Sequence, residues 1–421
     1  MKNFDAVVMS TYGRFPVAMA RGAGCRLWDT EGRSYLDCVA GIATCALGHS
    51  HPAMVQAITA QASRLIHVSN LYYIPEQGQL AQWLVDRSVA DQVFFANSGA
   101  EANEGAIKLA RKYALTRRGI SQPEIITAHQ SFHGRTMGTV TATGQPKYQK
   151  YFAPLLPGFH HVPYNDFTAL EAALNPNTAA ILLEPLQGEG GVLPGERDYF
   201  QAVRRICDER DMVLILDEVQ VGMGRTGNLW AYQHLGIEPD VFTLAKALGG
   251  GIPIGALCAR SKFAVFEPGD HASTFGGNPF ACGVALAVCE TLETQNLIAN
   301  ARLRGEQLQQ GLTQLVHQFP EQLAGVRGWG LIQGLILKDN NAVAVVQRCL
   351  EQGLLVVAAG PQVVRFVPPL IITAAEVEEA LHSLAMALEA PPPHSWGTKA
   401  KEGIYASAPL VGEGPPMPWL D

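Results

Sequence analysis

Two charged side chains stand where apolar runs end. Asp217 follows Met212-Val213-Leu214-Ile215-Leu216, and Lys246 comes shortly after a second apolar stretch at residues 240–244. Continuous apolar runs of this length suit buried parallel strands, so both charges belong at the carboxyl ends of a sheet, where open α/β folds bind ligands. A carboxylate there suits a protonated pyridine nitrogen and keeps such a ring an electron sink. A desolvated lysine beside a cationic ring loses part of its basicity and becomes a nucleophile. Gly249-Gly250-Gly251 follow, and glycines let backbone crowd a bound ring. The plain alternatives are a helix cap for Asp217 and a surface position for Lys246.

Further groups fit the same chemistry. In Asn97-Ser98-Gly99-Ala100-Glu101-Ala102-Asn103 a strand ends and a helix opens. A helix N-terminus binds phosphate through free N–H groups and its dipole, though Ser98 could equally be a simple cap. In Ser131-Phe132-His133-Gly134-Arg135-Thr136, Phe132 can stack on a flat ring, and Arg135 can clamp a carboxylate with two prongs. A core phenylalanine and a salt-bridged arginine serve as well. Arg365 lies inside the apolar stretch Val364-Arg365-Phe366-Val367, where a charge is costly unless it meets an anion, either a ligand or a structural partner. Glu189, in Gln187-Gly188-Glu189-Gly190-Gly191, could be a removable counter-ion for Arg365 or merely a turn residue.

The elements that must hold these residues alternate strand and helix. Residues 26–29 and 34–37 read as a strand–turn–strand. Residues 93–95, 125–127, 180–183 and 212–216 are short apolar strands, with a helix through Lys108 and Tyr113. Beyond residue 300, residues 301–319 read as a helix, 329–337 and 354–357 as strands, and 374–388 as a last helix. The predicted fold is α/β: a large domain at 61–300 with a mostly parallel central sheet flanked by helices, and a small α+β domain drawn from both chain ends (1–60 and 301–390). Residues 391–421, rich in Pro and Gly, read as a flexible tail.

Composition bounds the function. The chain has 421 residues, too many for one ordinary core, and 48% are hydrophobic, enough for a sizeable one. A net charge of −7 argues against nucleic acid as a partner. The eight cysteines form no CxxC pair, so no metal is expected, and they read as mostly buried thiols of a reducing compartment. Neither an apolar leader core nor a membrane-length apolar run is present, so a cytoplasmic protein without a membrane role is expected.

Leu216-Asp217-Glu218-Val219-Gln220, Gly224-Arg225-Thr226-Gly227, Leu244-Ala245-Lys246 and Ser273-Thr274-Phe275-Gly276-Gly277-Asn278-Pro279 occur in that order. With the motifs above they resemble the class III aminotransferases of fold type I, over roughly residues 10 to 385. The resemblance implies pyridoxal 5′-phosphate as cofactor, with Lys246 carrying it covalently and Asp217 pairing with its ring nitrogen. It further implies Gln220 at the ring hydroxyl, Phe132 stacked on the ring with His133 beside it, and Ser98, Gly99 and Ala100 at the phosphate. Thr274 would reach the phosphate of the partner subunit, which makes the enzyme a homodimer. Val221 departs from the threonine that relatives often carry.

Within the class the strings are most similar to the branch of arginine biosynthesis that acts on acetylornithine. Tyr12, in Thr11-Tyr12-Gly13-Arg14-Phe15-Pro16-Val17, and Ser273 join Ile42, Arg135, Glu189 and Arg365 as implied substrate contacts. An aliphatic Ile42 suits an acylated nitrogen better than the tyrosine usual in ornithine enzymes. The implied reaction is ping-pong transfer of the terminal amine of N2-acetyl-L-ornithine to 2-oxoglutarate, giving N-acetylglutamate 5-semialdehyde and glutamate. Succinylornithine, ornithine and GABA remain alternative donors. Arg135 together with Arg365 favours amino transfer over the aminomutase and decarboxylase relatives.

Overall fold

The computed structural model describes residues 4–390; the expected tail at 391–421 lies outside them. Seven strands form the central sheet: β1 (Gln92–Ala96), β2 (Glu124–Ala128), β3 (Phe159–Val162), β4 (Thr178–Leu183), β5 (Val213–Asp217), β6 (Val241–Leu244) and β7 (Gly255–Ala259). Their order is β1-β7-β6-β5-β4-β2-β3. Every neighbouring pair is parallel except the two that β7 makes, with β6 and with β1. Strands β4 to β7 are buried along their whole length, as a sheet covered on both faces requires.

Strand periodicity divides the two faces. Ala180, Leu182, Val213, Ile215, Val241 and Leu257 share a core with Ala106, Ile107, Leu109, Ala110 and Tyr113 of helix α1 (Gly99–Arg118). The alternate residues Ile181, Leu183, Leu214, Leu216, Phe242 and Leu244 join the larger core on the opposite face. By the same alternation Asp217 and Thr243 turn toward α1 rather than away from it.

Both chain ends build two smaller sheets. Met19–Ala23, Arg26–Asp29 and Ser34–Asp37 are joined in parallel by the late strand Leu354–Leu355. An antiparallel sheet contains Leu323–Trp329, Ile332–Leu337, Val363–Phe366 and Val357–Ala358. The single strand expected over 329–337 is therefore one arm of a hairpin that turns at Gly330. Gly330 has φ +49°, and a Cβ on it would fall 2.4 Å from the Thr226 backbone, so chain reversal and close packing coincide there. Strand β7 and the helix Ala342–Glu351 had no assignment from sequence; Gly-Ala-Leu-Cys-Ala carries little β-branched content to mark a strand.

Candidate active site

A cavity of about 440 Å³ opens at the carboxyl ends of β1, β2, β4, β5 and β6, a size ordinary for a small-molecule site. Ser98, Gly99, Ala100, Phe132, His133, Arg135, Glu189, Asp217, Gln220 and Lys246 all line it, as does Val221. They come from five separate segments. What brings them together is that each follows a strand of one sheet and so leaves it on the same edge.

Asp217 is 4% exposed and tightly held. Its Oδ2 accepts from Asn103 Nδ2 (2.8 Å) and lies 2.8 Å from His133 Nδ1; its Oδ1 accepts the Val219 N–H (3.0 Å). Asn103 also donates to the His133 carbonyl (2.8 Å) and accepts from the Thr243 hydroxyl (2.7 Å). The carboxylate is thus oriented by a buried polar network on the α1 side of the sheet, in which only the outer His133 nitrogen, Nε2, finds no partner among the described residues.

Lys246 sits just beyond β6 with φ +39°, a strained position for a residue with a side chain. Burial lowers its ammonium below the ordinary lysine range, and Glu189, Asp217 and Glu184 oppose that shift only in part. The glycines after it act differently from expectation. A Cβ on Gly249 would meet the Ile252 carbonyl at 2.0 Å, and one on Gly250 would meet Met54 Sδ at 2.9 Å. Those two serve the turn and the packing beneath it; of the three, only Gly251 lines the cavity.

At the mouth of α1 the Ser98 side chain accepts from the Glu101 N–H at 3.2 Å, so it does cap the helix. The backbone N–H groups of Gly99 and Ala100 find no acceptor among the described residues and are available to an anion. A Cβ on Gly99 would lie 2.7 Å from Val219 Cγ1, so only glycine lets this loop approach the β5 loop. Glu184, after β4, accepts the Phe132 N–H at 3.1 Å. Burial, reinforced by Asp217, raises its carboxyl well above the usual range.

Arg365 is fully buried and reaches the site from the strand Val363–Phe366. Its Nη1 donates to Glu189 (2.7 Å) and to Gln220 Oε1 (3.0 Å), while Gln220 Nε2 lies 3.3 Å from Glu189. Its Nε and Nη2 have no partner among the described residues. A Cβ on Gly188 would come within 1.7 Å of Gln220 Oε1, so a side chain there would push the Gln220 amide off Arg365. Arg135, by contrast, is exposed, with no carboxylate in ion-pair range among the described residues; its guanidinium lies 3.9 Å above the Tyr148 ring.

Five expected site residues do not line this cavity: Arg365 lies behind Glu189 and Gln220, which do, and four others lie elsewhere. Tyr12 is 73% exposed, Ile42 is 41% exposed, and Ser273 and Thr274 lie on a surface turn whose Ser273 Oγ is bonded to Asn97 and Gly276. Asn103, Glu184, Thr44 and Tyr148 had been given no role. Asn103 was within reach of inference, one helical turn after Gly99 on the inner face of α1. The others had no local signal.

The donor set fits a planar, phosphate-bearing aldehyde of pyridine. It holds unpaired N–H groups at a helix N-terminus, an oriented carboxylate for a ring nitrogen, an aromatic ring in Phe132 and a desolvated amine in Lys246.

The profile of the family described as aminotransferase class-III matches residues 7–388. The acetylornithine aminotransferase of Gloeobacter violaceus is 66% identical, covering 97% of this chain and 98% of its own. That of Nostoc sp. is 63% identical over 92% of each. Among solved structures, the N-acetylornithine aminotransferase of Stenotrophomonas maltophilia is 41% identical with a TM-score of 0.79, covering 89% of this chain and 96% of its own. The ornithine aminotransferase of Toxoplasma gondii is 33% identical with a TM-score of 0.88, covering 92% and 93%.

Proposed function

The chain belongs to the class III aminotransferase family, and from that premise we propose that it transfers the terminal amino group of N2-acetyl-L-ornithine to 2-oxoglutarate, a step of arginine biosynthesis. The products are N-acetylglutamate 5-semialdehyde and glutamate. One observation carries the reading at the site: Arg135 lines the cavity with its guanidinium open, whereas Arg365 lies buried behind the lining residue Glu189, which covers it. A donor with a single free carboxylate and an acceptor with two need that asymmetry.

Pyridoxal 5′-phosphate, when bound, supplies an aldehyde for the incoming amine and a ring that withdraws electrons from the reacting carbon. Gly99 and Ala100 would take its phosphate, Asp217 its ring nitrogen and Lys246 Nζ its aldehyde carbon. His133 and Asn103 keep the Asp217 carboxylate aimed. Lys246, with its basicity lowered by burial, is suited to take a proton from the substrate carbon and return it one position away. Arg135 would hold the carboxylate of acetylornithine and the distal carboxylate of glutamate. Arg365 would hold the α-carboxylate of glutamate once Glu189 moves aside.

Two finer readings accompany this one. Leu71, Tyr72, Tyr73 and Phe275 are 84%, 66%, 104% and 61% exposed, an apolar surface that supports a homodimer. Thr274, exposed beside Phe275, is then free to complete the phosphate site of the partner subunit. A cytoplasmic location is supported by eight free cysteines, seven of them buried. No helix of the described residues is long and apolar enough to cross a membrane.

Ornithine is the second candidate donor, favoured by the higher TM-score to an ornithine enzyme. Shape is common to the whole class, whereas identity of 66% against 33% weighs the side chains that choose the substrate. A panel of acetylornithine, succinylornithine, ornithine and GABA with 2-oxoglutarate decides it. The highest kcat/KM should belong to acetylornithine; a higher value for free ornithine would overturn the assignment.

A further inference from the structure

Arg135 owes its position to an aromatic ring and not to a counter-ion. Its guanidinium carbon lies 3.9 Å from the centroid of Tyr148 and 5.4 Å from that of Phe132. The two rings meet edge to face, 5.7 Å apart at 84°. Stacking on a ring face uses none of the five N–H donors of arginine, so the cation is held while its fork stays available. Arg365 shows the opposite arrangement, with Nη1 committed to Glu189 and Gln220.

The ring itself has a built support. Tyr148 is in the short helix α2 (Pro146–Gln149). Before it, the Gln145 amide donates to the carbonyls of Ser131 (2.9 Å) and Gln130 (3.2 Å). At its end, Gln149 Nε2 lies 2.9 Å from the Thr143 carbonyl and 3.1 Å from that of Val140. Four residues cannot sustain a helix alone, so these amides fix α2 to the segment that carries Phe132 and Arg135. Burial raises the Tyr148 hydroxyl above its ordinary range, so the ring meets the arginine as a neutral phenol.

We propose that Tyr148 is a specificity-determining positioning residue: its face, presented by the glutamine-pinned α2, holds the Arg135 guanidinium open for the carboxylate of each substrate. The inference rests on the reading of Arg135 as the carboxylate clamp. It predicts that the aromatic face matters and the hydroxyl does not.

The test uses the holoenzyme with glutarate, a dicarboxylate that cannot accept an amino group, its binding measured by calorimetry. Tyr148→Leu should weaken glutarate binding and raise the KM for 2-oxoglutarate by roughly three- to thirty-fold, and Tyr148→Phe should restore most of the affinity. Single-turnover reaction with a primary alkylamine that has no carboxylate should hold its rate in Tyr148→Leu to within about two-fold, because a stacking partner of arginine has no role there. Once Arg135→Gln is present, Tyr148→Leu should weaken glutarate no further. Unchanged glutarate affinity in Tyr148→Leu would overturn the proposal, as would an equal loss with the alkylamine, which would mark α2 as merely structural. Should Tyr148→Leu fail to fold, Tyr148→Met makes the same comparison with an unbranched side chain. If Arg135→Gln itself leaves glutarate binding intact, the clamp reading has failed and the inference falls with it; a loss in Arg135→Gln without one in Tyr148→Leu rejects the inference alone.

Discussion

Arg365 carries a charge at zero exposure, so an anion must answer it in every state of the site. Glu189 does so here, and the pairing reshapes its own titration. Burial would raise the Glu189 carboxyl, but the charges of Arg365 and Lys246, with bonds from Arg365 and Gln220, bring it down to about 2. A depressed carboxyl keeps its contribution above its ordinary range and loses it only as pH falls toward that value. Protonation therefore cannot open the pair near neutrality; a competing carboxylate can. Glu189→Gln should leave Arg365 uncovered, so glutamate should gain as a donor while acetylornithine loses, with charged contacts of this kind changing specificity by about 2–5 kcal/mol. Single-turnover kinetics of each half-reaction, followed from pH 6 to 9, would check it; equal slowing of both would mean the pair is structural. At Lys246, borohydride reduction and peptide mapping should place the pyridoxyl group on its Nζ. Lys246→Ala should keep the cofactor but lose turnover by about 10²–10⁴-fold or more, and a label on any other lysine would dismiss the assignment.

Strain concentrates in one short element. Ala40, Gly41, Ile42 and Ala43 have φ of 49°, 61°, 61° and 60°, one left-handed turn in which three residues are not glycine. Each such residue costs about 1–2 kcal/mol. Asp37 holds the turn: its Oδ1 accepts the N–H groups of Val39 (2.8 Å) and Ala40 (2.9 Å), and its Oδ2 lies 2.7 Å from His49 Nε2. The turn delivers Thr44 to the cavity wall and leaves Ile42 partly exposed. Ile42→Gly should relieve strain and stabilise the fold by about 0.5–1 kcal/mol after the extra entropy of glycine, read as a small rise in Tm. It should also narrow the preference for acetylornithine over ornithine. An unchanged preference would remove Ile42 from donor selection, and a lower Tm would show that its side chain packs more than its exposure implies.

For the whole molecule, the exposed apolar surface around Leu71, Tyr72, Tyr73 and Phe275 is large for a protein left alone in water. A closed two-fold dimer buries one such patch against its copy. Sedimentation should find a dimer under assay conditions, and Tyr73→Glu should shift it toward monomers that hold the cofactor weakly. A fully active monomer would refute both the dimer and the role of Thr274 across it.

Much of the fold was legible along the chain because burial leaves a local record. The strands β4, β5 and β6 are continuous apolar runs, and a charge that ends such a run, as Asp217 does, is visible without any partner. The glycine and serine at the start of α1 likewise announce a helix N-terminus. Strand β7 went unread because Gly255 and two alanines give it no β signature; its place comes from pairing with β1 and β6. At the site, residue type identified the groups and tertiary structure decided whom they meet. Glu189 finds Arg365 176 positions away, and Asn103 reaches Asp217 across 114. Tyr148 gains its role only because two glutamine amides fold α2 back toward Arg135. Tyr12, Ile42, Ser273 and Thr274 all lie outside the cavity of their own chain. Periodicity records which side of an element is buried, since that depends on the residue and its near neighbours. What covers that side depends on distant segments arriving together, and no local pattern encodes it.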